Sequence, residues 1–197
     1  MASSGTRVRV VGDGSFAATV RDLTEGAGMT VVTDPTDAID AMVFAPWDAA
    51  AMAPVPFAEL TDEQFGTAWQ TTMDDAVAAC VDARTAFGSD GGSIVLTAPT
   101  TGMAGGACFA HWAAAAEGVH VLARSAARQW GPDGIAVNVL AFSPDAVGID
   151  PAIAGPVSIA TPARPGASIA GALTFLCSDG ARDVAGQTIT VDGGLWM

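Results

Sequence analysis

The sequence predicts an α/β protein built on a doubly wound parallel sheet. Short apolar strand patterns alternate with helical patterns along the 197 residues, and such alternation places helices on both faces of a parallel sheet. A chain of this length buries about 70% of its unfolded surface as a single unit. One domain covering residues 1–197 is therefore expected.

The elements follow from periodicity and turn residues. The first strand is predicted at 7–11, and the helix at 15–26 returns the chain to the next strand at 29–33. The third strand is predicted at 41–45, only seven residues later, which is too short for a helical crossover. The remaining strands are predicted at 93–97, 135–141 and 187–191 and the remaining helices at 65–87, 111–130 and 167–177.

The longest predicted helix, 65–87, carries its apolar residues on one face, from Phe65 and Trp69 to Cys80 and Phe87. Asp74 and Asp75 lie away from that face. Adjacent helical residues point about 100° apart, so this pair is interpreted as solvated rather than as paired catalytic carboxylates.

Composition excludes several classes of function. Eight arginines against 21 acidic residues give a net charge of −13, which disfavours nucleic acids and anionic membranes as partners. No run of eighteen apolar residues and no apolar signal core is present, so a soluble, cytoplasmic protein is expected. Cys80, Cys108 and Cys177 have no metal-ligand spacing, and no metal site is predicted.

Three segments resemble the short-chain dehydrogenase/reductase (SDR) family. Residues 170–194, A-G-A-L-T-F-L-C-S-D-G-A-R-D-V-A-G-Q-T-I-T-V-D-G-G, are similar to its last helix, turn and final strand. Residues 54–65 resemble its fourth-strand exit, and 131–141 its sixth strand. The resemblance implies a Rossmann-like sheet that is shortened by about one helix and one strand, on the side of the adenine pocket.

The resemblance also implies a catalytic serine, tyrosine and lysine, yet this chain contains neither tyrosine nor lysine. The serine position falls on Pro99, the tyrosine on Trp112, the lysine on Ala116 and the helix asparagine on Thr72. An indole N–H does not ionise in the useful range and a methyl group offers no hydrogen bond. The chain is therefore expected to lack the catalytic set and standalone NAD(P)-dependent activity.

Two sequence patterns give opposite predictions for a dinucleotide site. Gly12, Gly14 and Ala17 fit G-x-G-x-x-A after a strand, and Asp34 follows at a distance suited to the ribose hydroxyls. In the register of the SDR family, however, Phe16 replaces a glycine where backbone must touch pyrophosphate. No cofactor is expected on this chain, and NAD(P) is expected on a partner subunit.

Three functional hypotheses remain open at this stage, the third being a homo-oligomeric ligand-binding protein without catalysis. The first is a catalytically inactive SDR-like subunit that supports an active NAD(P)-dependent paralogue acting on a hydroxy or keto substrate, such as an acyl thioester or a steroid-like compound. The alternative is a repurposed cyclase, lyase or dehydratase that uses a vestigial cleft without a nicotinamide cofactor. That cleft is predicted to be lined by Phe44, Trp47, Pro99, Trp112 and Phe142.

The resemblance further implies association through the two long helices, or through the last helix and strand. The partner is expected to be an SDR paralogue in a hetero-oligomer, or a second copy in a homo-oligomer. Small residues allow close helix approach, which points to Ala113–Ala116 on one surface and to Gly171 and Ala172 on the other. Helix propensity explains the four alanines equally well. His120 is interpreted as a packed or interface histidine.

Overall fold

A computed structural model describes residues 5–150, 164 and 167–195. The strands are β1 Arg7–Val11, β2 Thr30–Val31, β3 Ala41–Phe44, β4 Gly92–Pro99, β5 Ile135–Phe142 and β6 Thr188–Val191. The helices are α1 Gly14–Gly26, α2 Asp62–Ala86, α3 Thr101–Ala104, α4 Ala110–Trp130 and α5 Ala170–Leu176, with single 3₁₀ turns at Phe57–Glu59, Gly131–Asp133, Pro144–Val147 and Asp179–Ala181.

The six strands form one parallel sheet in the order β2-β1-β3-β4-β5-β6. Helices α2 and α4 pack together on one face, whereas α1 and α5 contact each other on the opposite face. All residues of β4 and β5 are buried, as expected for central strands that are covered on both sides. The predicted doubly wound fold is confirmed.

The predicted shortening of the sheet is also confirmed. Strand β2 is the edge strand beside β1, and it has two residues rather than the five that periodicity indicates. From β2 the chain crosses to the other side of β1 without a helix. Arg9 secures this crossing, because its guanidinium donates to the carbonyl oxygens of Asp34, Pro35 and Asp37 at 3.2, 3.2 and 2.8 Å.

A second arginine fastens the end of the crossing to β1. The Asp40 carboxylate accepts hydrogen bonds from the Arg7 backbone N–H at 2.8 Å and from the Arg7 guanidinium at 2.9 and 3.2 Å. These bonds hold the pKa of Asp40 below its ordinary value. Paired main-chain and side-chain anchors therefore replace the helix that normally separates parallel strands.

Helix α2 begins three residues earlier than periodicity predicts, at a capping box. Thr61 Oγ1 accepts from the Gln64 N–H at 3.1 Å, and Gln64 Oε1 accepts from the Thr61 N–H at 3.0 Å. The first half of the helix is largely exposed, and its buried residues, Ala76, Ala79, Cys80 and Ala83, all lie in the second half. The capping box at Thr61 and Gln64 therefore stabilises the first half of α2, which has few packing contacts with the core.

Of the three cysteines, Cys80 and Cys177 are buried and Cys108 is half-buried. Burial raises the pKa of both Cys80 and Cys177 to about 12. Five prolines and little periodicity in the sequence indicate an irregular segment at 142–166, where the resemblance to the SDR family implies a substrate lid, and this segment begins with the turn Pro144–Val147. The substrate lid that the resemblance implies there falls mostly outside the described residues.

Replacing Thr61 by Ala should lower the free energy of unfolding by about 1 kcal/mol, because it leaves helical N–H groups without their acceptor. Chemical denaturation monitored by circular dichroism measures the change. Thr67→Ala, at an exposed site one and a half turns into the same helix, is the matched control and should leave stability unchanged or slightly higher. Equal losses in both variants would contradict the role of the cap.

Candidate functional site

Ligands of open α/β sheets bind at the carboxyl ends of the strands. In this chain that edge is closed largely by its own side chains. Pro99 and Phe142 end β4 and β5 as register partners, and both are buried. Trp112 approaches from the first turn of α4 and is 2% exposed. The positions expected to carry chemistry are therefore adjacent but packed.

Two tryptophans fasten the segment after β3 to this edge. Trp47 Nε1 donates to the Thr97 carbonyl at 2.8 Å, and Thr97 Oγ1 donates to the Phe44 carbonyl at 2.6 Å. Trp112 Nε1 donates to the Met52 carbonyl at 3.1 Å. The two indoles meet edge to face, with centroids 6.5 Å apart. Both indole N–H groups are thus used to hold the main chain.

An aromatic pair fills the space between α1 and β5. The rings of Phe16 and Phe142 stack with centroids 4.3 Å apart, and they are 1% and 0% exposed. The Phe16 ring belongs to the hydrophobic core. The Phe16 ring is therefore accommodated by packing against Phe142 of β5.

The glycine turn between β1 and α1 is formed as the sequence predicts. Gly12 and Gly14 have φ values of 140° and 89°, which side chains rarely adopt. A Cβ on Gly12 would lie 2.1 Å from the Ala45 carbonyl oxygen, so the segment after β3 already needs this glycine. Asp48 Oδ2 lies 3.1 Å from the position of a Cβ on Gly14. A carboxylate of the chain itself therefore rests against the turn.

Asp34, expected near a ribose, has local partners. Its Oδ1 accepts from the Thr36 N–H at 2.8 Å and from Thr36 Oγ1 at 2.6 Å. These hydrogen bonds lower the pKa of Asp34. The carboxylate stabilises the exposed turn that the crossing requires.

Two open clefts lie on either side of the segment after β3. The first, here called the acidic cleft, measures about 590 Å³ and borders the glycine turn. Arg9 is the one cation among the residues lining it. The carboxylates lining it belong to Asp13, Asp48, Asp75 and Asp82.

The second, here called the tryptophan cleft, measures about 560 Å³ and lies between that segment, α2 and the start of α4. It contains Trp47 and Trp112 together with Thr72 at the former asparagine position. Phe44 lines the acidic cleft instead, while Phe142 is fully buried. The single aromatic cleft expected from the sequence is thus corrected: its residues are distributed over two adjacent clefts and the buried core, and the two clefts share Pro46, Asp48 and Asp75.

Three residues of these clefts carried little signal in the sequence. Asp48 and Asp75 line both clefts. His111 lines the tryptophan cleft at 5% exposure, its Nδ1 is buried without a hydrogen-bond partner, and burial lowers its pKa. An Asx turn at Asp48, whose Oδ1 accepts from the Ala50 N–H at 2.9 Å, was the available local clue.

His120 lies on the buried face of α4, in agreement with its interpretation as a packed histidine. Its Nδ1 lies 2.9 Å from Thr188 Oγ1, and Glu117 Oε1 lies 3.8 Å from Nε2. Burial is the main cause that lowers its pKa. Across residues 5–150 and 167–195, no cluster of histidine, cysteine and carboxylate side chains could hold a metal ion. No helix in the same ranges is long and apolar enough to cross a membrane.

The parallel sheet with helices on both faces and the glycine turn after β1 define a Rossmann-like α/β protein. Residues 27–196 match the protein family described as enoyl-(acyl carrier protein) reductase. The chain therefore belongs to this family, a branch of the short-chain dehydrogenase/reductases.

Individual relatives agree with this assignment. Over 129 residues the chain is 34% identical to (-)-trans-carveol dehydrogenase of Rhodococcus erythropolis, a match that covers 54% of this chain and 47% of that enzyme. The chain thus spans about half the length of this relative. Among solved structures, one from Beutenbergia cavernae described as an NAD(P)-dependent gluconate 5-dehydrogenase, with bound NADP at low occupancy, superposes with a TM-score of 0.74 at 23% identity over 96% of each chain.

A short-chain dehydrogenase/reductase of Serratia marcescens superposes with a TM-score of 0.73 at 19% identity, over 97% of this chain and 98% of its own. At these identities both structures establish the fold alone.

Restoring the glycine, Phe16→Gly, should destabilise the protein by about 3–5 kcal/mol, because it removes a buried aromatic ring and leaves a cavity against Phe142. Urea denaturation monitored by circular dichroism measures this loss. Ala18→Gly, on the exposed face of the same helix, is the control and should cost about 1 kcal/mol. If Phe16→Gly cost no more than the control, the stacked pair would not be part of the core.

Proposed function

We propose that this chain is a non-catalytic SDR subunit that binds no NAD(P) and supports an active, NAD(P)-dependent paralogue acting on a hydroxy or keto substrate. The observation that carries the proposal is a contrast between two surfaces. At the positions that correspond to the catalytic serine, tyrosine and lysine of the family, Pro99, Trp112 and Ala116 are buried, whereas an apolar surface on the two long helices is left uncovered.

The residues at the cofactor positions do not fit a dinucleotide. The acidic cleft beside the glycine turn carries four carboxylates, and pyrophosphate is itself an anion. Its one arginine, Arg9, already donates to three carbonyl oxygens. Asp48 rests where the turn and the start of α1 would otherwise favour a phosphate. Both charge and space therefore disfavour the cofactor.

The proton relay of the family also lacks its groups. Trp112 has its N–H bonded to a carbonyl and cannot ionise in the useful range. Ala116 is fully buried, and a Cβ on Gly102 of α3 would lie 3.0 Å from the Ala116 methyl group. Little room remains there for a lysine side chain. The loss thus extends from the residues to the space they would need.

The uncovered surface is centred on the crossing of α2 and α4 and is here called the helix-pair surface. Trp69 and Met73 pack against Gly118, since a Cβ there would lie 2.7 Å from Met73 Sδ and 3.2 Å from the Trp69 ring. Trp69 and Val121 remain 41% and 55% exposed. A shallow groove of about 550 Å³ runs along it, and its lining is mainly apolar. Exposed apolar patches of this kind mark association sites.

The prediction that Ala113–Ala116 offer one surface for a partner helix is corrected by their burial. Ala113, Ala115 and Ala116 point into the core and are at most 8% exposed. Only Ala114 is half-buried and lines the groove, because a helix presents one residue in three or four to a given face. On α5, Gly171 is exposed and Ala172 is half-buried, so this second surface is also accessible.

The repurposed enzyme remains the second candidate. It is favoured by the tryptophan cleft, whose lining includes His111, and Nδ1 of this histidine has no hydrogen-bond partner among the described residues. A lyase, cyclase or dehydratase using it would be stable and active without a partner. The proposed subunit would instead need its paralogue for correct assembly.

The purified chain should show no saturable binding of NADH or NADPH by isothermal titration calorimetry, because carboxylates line the site. Turnover assays over alcohols and ketones should be flat. Trp112→Tyr combined with Ala116→Lys should stay inactive, since α3 packs against residue 116. Micromolar affinity for either cofactor, or robust turnover by the purified chain, would contradict the proposal.

Val121→Asp should weaken association with the paralogue at least about tenfold, since an unpaired charge would be buried at the contact. The partner's activity should fall with it. Val81→Asp introduces the same change at a valine of similar exposure, 53%, outside the groove, and should have little effect. Co-purification followed by size-exclusion chromatography measures both variants, and circular dichroism checks folding. Equal assembly of wild type and Val121→Asp would place the interface elsewhere.

A further inference from the structure

The tryptophan cleft has the dimensions of a small-molecule site. At about 560 Å³ it falls within the range of ligand pockets in proteins. One wall is the segment after β3 and the other is the first half of α2, while His111 and Trp112 contribute from the start of α4. It is separate from the helix-pair surface, with which it shares no lining residue.

The two walls differ in chemistry. The wall after β3 is apolar apart from Asp48, and its larger side chains include Pro46, Met52 and Val55. The α2 wall is polar, and its side chains are Glu63, Gln64, Thr67, Thr71, Thr72 and Asp75, with Ala68 among them. An occupant that satisfies both walls needs an apolar body and a polar group on one side.

The charge of that polar group follows from the lining. Asp48, Glu63 and Asp75 contribute three carboxylates, and none of the arginines lines the cleft. Asp75 is the informative member of the Asp74–Asp75 pair, because Asp74 lines neither cleft. A cleft lined by one sign of charge concentrates ligands of the opposite sign.

His111 supplies a second and independent indication of a ligand. Its side chain is 5% exposed and lines the cleft; Nδ1 has no hydrogen-bond partner among the described residues, while the ring also interacts with the Ala53 backbone, which partly opposes the effect of burial on its pKa. Buried polar atoms are normally paired. Burial favours the neutral imidazole, which keeps one nitrogen as an acceptor. A ligand N–H or O–H would complete this group.

The indoles add apolar ring surface. Trp47 and Trp112 both line the cleft, and their N–H groups are already bonded to the carbonyl oxygens of Thr97 and Met52. What they add to the cleft is therefore a small apolar area, since the side chains are 3% and 2% exposed.

We propose that the tryptophan cleft binds a small organic ammonium compound, with its charged group on the α2 wall and its apolar body against the wall after β3. Binding would not require a partner, a nicotinamide cofactor or turnover. The site is thus independent of the proposed subunit role, and either can fail without the other.

Three probes of matched size test the charge preference on the full chain: 2-phenylethylammonium, 3-phenylpropionate and 3-phenylpropan-1-ol. Calorimetry and tryptophan fluorescence report binding. The ammonium should bind at least about tenfold more tightly than the carboxylate, with the alcohol between them, and added salt should reduce the difference. Equal affinities, or no saturable binding of the ammonium up to about 10 mM, would overturn the proposal.

Variants then locate the binding. Asp75→Asn should weaken the ammonium about tenfold, the effect of losing one charge-assisted hydrogen bond, whereas the neighbouring Asp74→Asn should change it less than about twofold. His111→Leu should weaken binding, and His111→Gln, which keeps an acceptor, should restore part of it. Both aspartates are exposed, so folding is preserved in that pair. Equal effects of the two aspartate variants would place the ligand outside the cleft.

Discussion

The close approach of the segment after β3 to the glycine turn is the constraint on which the rest of the site depends. The Ala45 carbonyl lies so near Gly12 that no side chain fits between them, and Trp47 fastens the same segment to Thr97. Asp48 is thereby held against Gly14. One stretch of main chain thus brings a carboxylate to the glycine turn and lies between the two clefts at the carboxyl edge of the sheet.

The filled edge and the uncovered helices are complementary features of one fold. Aromatic packing such as the Phe16–Phe142 pair returns stability to a sheet that is short of a strand and a helix, because burial of a large ring contributes several kcal/mol. The same chain leaves Trp69 and Val121 partly exposed, where burial against a partner would add further stabilisation.

Much of the fold could be predicted because it follows from local patterns. The sequence alone predicts the alternation of strands and helices and the short connection from the second strand to the third. It also shows the absence of tyrosine and lysine. The contacts that decide the site are not local. They depend on how distant segments pack. Examples are the hydrogen bonds of Arg9 to the crossing, the approach of Asp48 to Gly14, and the burial of His111 Nδ1 without a hydrogen-bond partner among the described residues. Helical rotation alone explains why Ala114, and not Ala113 or Ala115, reaches the surface.

The most direct test is the number of nucleotides bound by the assembly purified from the native host. Native mass spectrometry gives the subunit stoichiometry and the bound NAD(P) in one measurement. A non-catalytic subunit predicts a hetero-oligomer in which nucleotides equal the number of paralogue subunits and none is assigned to this chain. A nucleotide on every subunit, or a monomer of this chain without an SDR partner, would contradict that role.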